Sequence, residues 1–159
     1  MEYAQSDERA SDGTGLGGAS LSEAVVAAVI ATGAGLQQRL DRALGDIKGI
    51  TYNEYRLLNS MATPAGNARS RVDLARAVGL TPSGVTRALR PLEKLGMVET
   101  VRDTRDARRS LASLTDQGRV LLSDATGVLS DAVAGLDAVQ ELPPDEARRL
   151  LATVEGLNR

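Results

Sequence analysis

Residues 72–118 read VDLARAVGLTPSGVTRALRPLEKLGMVETVRDTRDARRSLASLTDQG, and this stretch decides the fold. The first helix of this stretch is predicted to end at Gly79, and Thr81 followed by Pro82 is typical of the beginning of a second helix. That helix is predicted to end at Gly96, and the arginine-rich stretch after it has the pattern of a two-stranded hairpin. One helix of such a motif can enter the major groove of duplex DNA while a charged ribbon reaches the adjacent backbone. DNA binding is therefore the leading hypothesis.

Helical patterns flank this motif on both sides. Ser20 with Glu23 forms one capping box and Thr51 with Glu54 forms another, and each predicts the start of a helix. The chain is predicted to be mainly α with a small β-hairpin wing: a winged helix-turn-helix of order α-α-α-α-β-β-α-α. Further helix boundaries are predicted at Ser70, at Thr115, whose helix is expected to continue through Val139, and at Pro143 and Pro144.

The long first helix and the helices after the hairpin lie outside a minimal helix-turn-helix core. Their apolar stripes need a covering surface, and a second copy of the chain would also match two half-sites on DNA. The alternative is that these helices pack only on their own domain. The predicted regions are a disordered tail (residues 1–19), an N-terminal dimerisation helix (20–50), a DNA-binding winged helix-turn-helix (51–115) and C-terminal dimerisation helices (116–159).

The composition excludes several kinds of site. The chain has neither cysteine nor histidine, so it cannot form a disulfide, a zinc finger, a thiol redox sensor or a histidine-based catalytic centre. Its acidic residues show no EF-hand-like spacing and no recognisable catalytic pairing. We therefore expect no enzyme activity, no metal and no cofactor. The absence of a long apolar run and of a signal pattern predicts a cytoplasmic protein without a membrane partner.

The charge is uneven along the chain. Residues 69–109 contain ten Arg or Lys and five Asp or Glu, a net charge of +5. The rest of the chain carries nine basic and sixteen acidic residues, a net charge of −7. A basic middle in an acidic protein is the footprint expected of a local phosphate-binding surface, although a solvated charged face would have the same composition.

The second helix of the motif has a side that is predicted to be buried and a side that is predicted to be exposed. The apolar residues that recur at helical spacing and should face the core are Val85, Leu89, Leu92 and Leu95. The other side carries short hydroxyls, which can donate to phosphates or base edges, and arginines, which can pair bidentately with guanine. The alternative for each is a solvated side chain, or an arginine that touches phosphate without reading sequence. The predicted DNA contacts here are Ser70, Thr81, Pro82, Ser83, Thr86, Arg87 and Arg90.

The hairpin is predicted to add further contacts. Asp103 and Asp106 suit a turn because their side chains can cap local N–H groups, and Asp106 is close enough in sequence to orient Arg108. Arg105 and Arg109 are then the freer cations, suited to phosphates or to a narrow minor groove. The alternative is that these charges only keep an exposed hairpin soluble. The predicted hairpin contacts to DNA are Arg102, Arg105, Arg108 and Arg109.

Four stretches together resemble the MarR family of bacterial transcriptional regulators. They are residues 73–87 (DLARAVGLTPSGVTR), 92–98 (LEKLGMV), 103–108 (DTRDAR) and 114–118 (LTDQG). The resemblance covers residues 20–157, because the order and the lengths of the predicted helices also agree with the family.

The resemblance implies a triangular homodimer of winged-helix subunits that binds a pseudo-palindromic operator, usually as a repressor. Many members release DNA when a small, often aromatic or anionic, effector binds between the dimer and DNA-binding regions. The peroxide-sensing branch depends on a cysteine, so this chain is excluded from it. The candidates for an effector pocket are Tyr52, Tyr55 and Arg56, although Tyr55 falls on the apolar spacing of its helix and Arg56 could equally be a surface residue.

A second function would also fit a winged helix. The arginine surface could pair with an acidic protein, which makes a protein–protein interaction module without specific DNA readout the alternative hypothesis. The salt dependence of DNA affinity distinguishes the two, because only a DNA-binding protein loses affinity in proportion to the number of phosphates that it neutralises.

Overall fold

A computed structural model describes residues 20–62, 68–102 and 110–157. The chain divides into two compact units, Met1–Leu36 and Gln37–Arg159. The predicted tail, residues 1–19, lies outside the described residues. In chain order the elements are α1 (Leu21–Lys48), α2 (Tyr52–Met61), β1 (Arg69–Ser70), α3 (Arg71–Val78), α4 (Pro82–Lys94), β2 (Val98–Arg102), β3 (Ser110–Leu114), α5 (Asp116–Ala134), α6 (Asp137–Gln140) and α7 (Pro144–Gly156).

The predicted fold class, mainly helical with a small hairpin, is confirmed. Strands β2 and β3 pair antiparallel from Val98 opposite Leu114 to Arg102 opposite Ser110. Strand β1 joins the other edge of β3, which gives the strand order β1-β3-β2. A strand of two residues has no alternation to detect, so β1 was not predictable from the sequence pattern.

The predicted helix starts are confirmed in atomic detail. The Ser20 N–H donates to the Glu23 carboxylate (2.6 Å), and this hydrogen bond holds the pKa of Glu23 below its usual value. Thr51 and Glu54 form the second capping box, with the Thr51 N–H 2.7 Å from the Glu54 carboxylate. Side-chain oxygens also accept from the first turns of α3, α4 and α5, in the N-caps Ser70, Thr81 and Thr115.

The prediction that one helix continues from Thr115 through Val139 is wrong. Helix α5 ends at Ala134, and Val139 belongs to the short helix α6. Gly135 caps α5, and its carbonyl accepts a hydrogen bond from Arg39 in α1 (3.1 Å). Glycine is a poor helix former, and the hydrogen bond from Arg39 holds its carbonyl where the helix ends.

The core lies within the unit Gln37–Arg159, and aliphatic side chains fill it. Leu95, which was predicted to be buried, is 64% exposed. It follows the last residue of α4 as the C-cap, where the chain leaves the helical path toward Gly96, so the helical spacing no longer applies to it. The largest fully buried side chains are Leu44, Leu57, Leu58, Met61, Leu74, Val85, Leu89 and Leu92.

Both ends of the chain carry exposed apolar side chains. In the unit Met1–Leu36, the first turns of α1 expose Leu21, Val26 and Ile30. Helix α7, described by itself, buries none of its residues and exposes Leu150 and Leu151. Across the described ranges, no helix combines the length and the apolar character that crossing a membrane requires.

Gly118, the third residue of α5, lies directly against the backbone that leads into β2. A Cβ atom at this position would lie 2.0 Å from the Met97 carbonyl oxygen and 3.2 Å from a Leu114 methyl carbon. The Met97 carbonyl cannot move away easily, because it accepts hydrogen bonds from the Thr115 N–H and hydroxyl. The close approach of α5 to the start of the hairpin therefore requires glycine here.

We predict that Gly118→Ala lowers the free energy of unfolding by about 2 kcal/mol or more, because the added methyl group meets a fixed backbone carbonyl. The matched control is Gly127→Ala in the same helix, where a Cβ meets nothing within 4 Å. This control should raise the stability by about 0.5–1 kcal/mol, the usual gain of alanine over glycine in a helix. Urea unfolding followed by circular dichroism measures both values, and equal stabilities for the two variants would contradict the packing described for Gly118.

Candidate nucleic-acid interface

The turn between α3 and α4 has the geometry of a helix-turn-helix. Gly79 ends α3 in the left-handed conformation (φ 68°), which glycine adopts without a steric penalty. Thr81 caps α4, since its hydroxyl oxygen accepts the Gly84 N–H at 3.1 Å. Pro82 is the first residue of α4, where its missing N–H costs no helical hydrogen bond.

Helix α4 packs one side into the core and turns a polar side to solvent. Val85, Leu89 and Leu92 anchor the buried side. Among the described residues, Arg87 and Arg90 have no hydrogen-bond or ion-pair partner, and both are exposed. Their guanidinium groups are therefore available to an external partner.

The hydroxyl groups predicted to contact DNA differ in their availability. Ser83 is exposed on the first turn of α4. Thr86 is half-buried, and its hydroxyl donates to the Pro82 carbonyl at 2.9 Å. Thr81 is already occupied as the helix cap, although its free lone pair and methyl group lie at the exposed end of the helix.

Ser70 has a different position from the other predicted contacts. It is only 7% exposed, and its hydroxyl donates to the Asp73 carboxylate (2.6 Å) while accepting the Asp73 N–H (3.2 Å). These bonds cap α3. The Ser70 hydroxyl is thus engaged within the chain, and the DNA contact predicted for it stays a prediction.

Of the DNA contacts predicted for the hairpin, Arg102 lies within the described residues. Arg102 is exposed at the end of β2, directly opposite Ser110. The other predicted residues of the hairpin, Asp103, Arg105, Asp106, Arg108 and Arg109, lie outside the described residues, and their roles remain predictions.

The sequence pattern did not single out a polar cluster behind this surface. Arg71 donates to Ser110 (2.7 Å) and to Glu93 (3.2 Å), and Glu93 also accepts the hydroxyl of Thr100 (2.5 Å). These four residues are far apart in sequence and belong to α3, α4, β2 and β3. Only the pairing of the strands and the packing of the helices bring them together, so no local motif could have revealed them.

The predicted effector-pocket residues are neighbours, and two of them, Tyr55 and Arg56, line different clefts in the described part of the chain. The rings of Tyr52 and Tyr55 stack with centroids 6.1 Å apart, and the Arg56 guanidinium lies 5.9 Å from the Tyr52 ring centre. Tyr55 faces a cleft formed with α5 residues such as Thr126 and Leu129. Arg56 instead lines a separate cleft of about 360 Å³, together with Asn59, Ser60, Arg69, Ala77 and Val78.

Metal-ion chemistry has no built site in the part of the chain that the structure describes. No group of three or more Asp or Glu side chains there is arranged to hold a metal ion. The polar surface of α4 is instead composed of cations and hydroxyls, which suits an anionic partner.

A family model described as MarR family matches residues 48–109, which include α2 to β2. Among curated proteins, no sequence matches the chain. The family model therefore covers the helix-turn-helix and the hairpin region, where the candidate interface lies.

Solved structures match most of the chain. Sco3205, a MarR family transcriptional regulator from Streptomyces coelicolor in complex with DNA, is 28% identical, with 88% of this chain and 91% of that chain covered and a TM-score of 0.77. The transcriptional regulator BldR from Sulfolobus solfataricus is 24% identical, with coverage of 84% and 91% and a TM-score of 0.75. BpsR from Bordetella bronchiseptica, whose DNA binding is regulated by 6-hydroxynicotinic acid, is 19% identical, with coverage of 89% and 98% and a TM-score of 0.75. The matches to BldR and BpsR show a shared fold.

Proposed function

We propose that the chain is a transcriptional regulator of the MarR family, not an enzyme, which binds duplex DNA by inserting α4 into the major groove. One observation carries the proposal: α4 buries its apolar side and leaves Arg87 and Arg90 exposed without an internal partner. A helix with this division of its surface is the usual reading element of a helix-turn-helix. A regulator of transcription acts where the DNA is, so we assign it to the cytoplasm.

The residues of α4 and the hairpin have separate roles in this proposal. Arg87 and Arg90 reach base edges, where a guanidinium can pair with the O6 and N7 atoms of guanine. Ser83, on the first turn of α4, donates to a phosphate beside the positive end of the helix dipole. Arg102 at the hairpin contacts a phosphate of the DNA backbone, and such a contact supplies affinity but no sequence information.

We predict that Arg87→Ala narrows the difference in affinity between native and scrambled duplexes by roughly 5- to 100-fold, because it removes a base contact. Arg102→Ala should weaken binding to both duplexes alike and lower the salt slope by about one, because it removes a phosphate contact. Fluorescence anisotropy measures these effects on a duplex from the region upstream of the gene, titrated at two salt concentrations.

Arg119→Ala is the control for this experiment, because Arg119 is an exposed arginine in the first turn of α5, outside the proposed contacts of α4 and of the hairpin. It should leave both affinities unchanged. Equal losses on the native and scrambled duplexes for Arg87→Ala would contradict its base-reading role. Wild-type binding that does not weaken with salt would contradict DNA recognition through phosphates and favour a protein partner.

The regulator acts as a homodimer in this proposal, since two copies would read the two halves of a pseudo-palindromic operator. Exposed apolar residues support it at each end of the chain. Ile30 of α1 is 68% exposed and Leu151 of α7 is 58% exposed, although leucine and isoleucine gain most when they are buried. A second copy of the chain is the covering surface.

We predict that the wild-type protein sediments as a dimer and that Ile30→Glu or Leu151→Glu raises the dimer dissociation constant by about 100-fold or more. The two-fold symmetry doubles the cost of burying each charge, which makes the effect large. Val72→Glu is the control, because Val72 is an exposed apolar residue of α3 outside the proposed interface. Sedimentation equilibrium measures the association, and a monomeric wild-type protein would contradict the dimer.

In this proposal the protein represses transcription, and a small anionic effector relieves the repression by releasing the protein from DNA. The cleft beside α2 supports it, because it is lined by Arg56, Asn59 and Ser60, whose side chains carry a guanidinium, an amide and a hydroxyl group. These groups suit a carboxylate, and the adjacent Ala77 and Val78 suit an apolar ring.

We predict that 6-hydroxynicotinic acid, an aromatic acid of this class, lowers the affinity of the wild-type protein for its duplex. Arg56→Ala should make DNA binding insensitive to the acid, whereas Arg119→Ala should respond like the wild type. Anisotropy titrations at fixed protein and increasing acid measure the response. Release that is identical in Arg56→Ala and the wild type would exclude the cleft as the effector site.

A further inference from the structure

A partly exposed polar cluster joins the helix-turn-helix to the hairpin. The Arg71 guanidinium donates through one nitrogen to Ser110 (2.7 Å) and through the other to Glu93 (3.2 Å). The Glu93 carboxylate also accepts the Thr100 hydroxyl (2.5 Å). One ion pair thereby links α3 and α4 to both strands of the hairpin. We call Arg71, Glu93, Thr100 and Ser110 the hinge cluster.

The hinge cluster is shielded enough for its bonds to constrain geometry. The side chains of Arg71 and Glu93 are 24% and 30% exposed, less than those of the surface ion pair Arg149–Asp145 (79% and 64%). Hydrogen bonds between charged groups are stronger and more directional than neutral ones, and partial burial reduces their screening by water. Arg71 holds two separate partners at once, which a lysine could not do with the same fixed geometry.

The position of the cluster relates it to the proposed interface. Glu93 lies about one helical turn after Arg90, near the C-terminal end of α4. Ser110 lies directly opposite Arg102 in the strand register, at the base of the segment 103–109. The cluster therefore connects the helix proposed to read bases with the place where the hairpin arginines begin.

We propose that the hinge cluster sets the angle of the hairpin relative to α4, and that Arg71 and Glu93 are positioning residues for DNA binding without touching DNA. This inference depends on the proposed DNA-binding function. When Arg71 releases Ser110, the hairpin remains paired but no longer presents Arg102 at the spacing that a bound duplex requires. Loss of the cluster removes the contribution of the hairpin to affinity while it leaves that of Arg87 intact.

The test is a set of double-mutant cycles, measured by anisotropy on the same duplex, in which each background variant is combined with Arg102→Ala and with Arg87→Ala. The first variant is Ser110→Ala, which removes one hydrogen bond to Arg71 without a change in charge. Its matched control is Ser113→Ala in the same strand, where the hydroxyl donates to Glu99 (3.1 Å) outside the cluster. The second variant is Arg71→Gln, which removes both links.

We expect Arg102→Ala to weaken binding several-fold in the wild type and in Ser113→Ala, but less than twofold in Ser110→Ala and in Arg71→Gln. Arg87→Ala should weaken binding by the same factor in all four backgrounds. A merely structural role would reduce the amount of folded protein and scale every affinity alike, so it would leave the effects of Arg102→Ala and Arg87→Ala additive in every background. Thermal unfolding of each variant measures the loss of folded protein separately. If Arg71→Gln does not fold, the cycles with Ser110→Ala still test the inference.

Two results would overturn the inference. Additive effects of Ser110→Ala and Arg102→Ala would show that the cluster does not position the hairpin. An Arg102→Ala variant that binds like the wild type would show that Arg102 contributes nothing to DNA affinity, so that the cluster has no hairpin contact to position. In either case the wild-type protein would still bind DNA with a steep salt dependence. A wild-type protein that fails to bind duplex DNA would instead refute the proposed function from which the inference starts.

Discussion

The packing of one side of α4 against the core is the constraint on which the rest of the interface depends. Val85, Leu89 and Leu92 are essentially inaccessible to solvent, and each contributes roughly 1.5–3 kcal/mol when it is removed from water. This burial fixes the rotation of α4 about its axis. Arg87 and Arg90 face outward because these aliphatic side chains face inward. A rotation of α4 would expose the aliphatic side chains to water.

The hairpin is held in place by a second set of contacts at the far end of the same helix. The Thr115 hydroxyl donates to the carbonyls of Gly96 (2.7 Å) and Met97 (3.2 Å), and Gly118 packs against the Met97 carbonyl without a side chain. These contacts fasten α5 to the residues between α4 and β2. The hinge cluster adds a polar link on the other side of the hairpin. Together they make the paired strands an extension of the core, so Arg102 at the end of β2 is held at a defined distance from α4.

Local chemistry explains why much of this arrangement was predictable from sequence. A side-chain oxygen within reach of the free N–H groups of the first turn favours a helix start, and Thr51, Thr81 and Thr115 supply one at the expected spacing. The exposed side of α4 followed from the period of its apolar residues. Leu95 was predicted wrongly because the period was extended past the last helical residue, where the backbone had already changed direction.

Features that depend on long-range contacts could not be predicted in the same way. Arg71 and Ser110 are 39 positions apart, and only the pairing of β3 with β2 brings Ser110 to the guanidinium. Tyr55 and Arg56 are adjacent in sequence, yet successive positions on a helix point about 100° apart, so the two side chains line different clefts. The predicted DNA contacts on α4 and the hairpin remain predictions for the same reason, since the partner that would define them is a second molecule.

Selection of bound duplexes from a pool of randomised DNA tests the central claim most directly, because it requires neither a known operator nor a known effector. If α4 reads the major groove and two copies act together, the enriched sequences will contain two inverted half-sites with centres about 10 base pairs, or a multiple of that distance, apart. The same selection with Arg87→Ala will lose the preference at one position in each half-site. A pool that remains random after repeated selection, although the protein is folded and binds the DNA, would contradict sequence readout by α4.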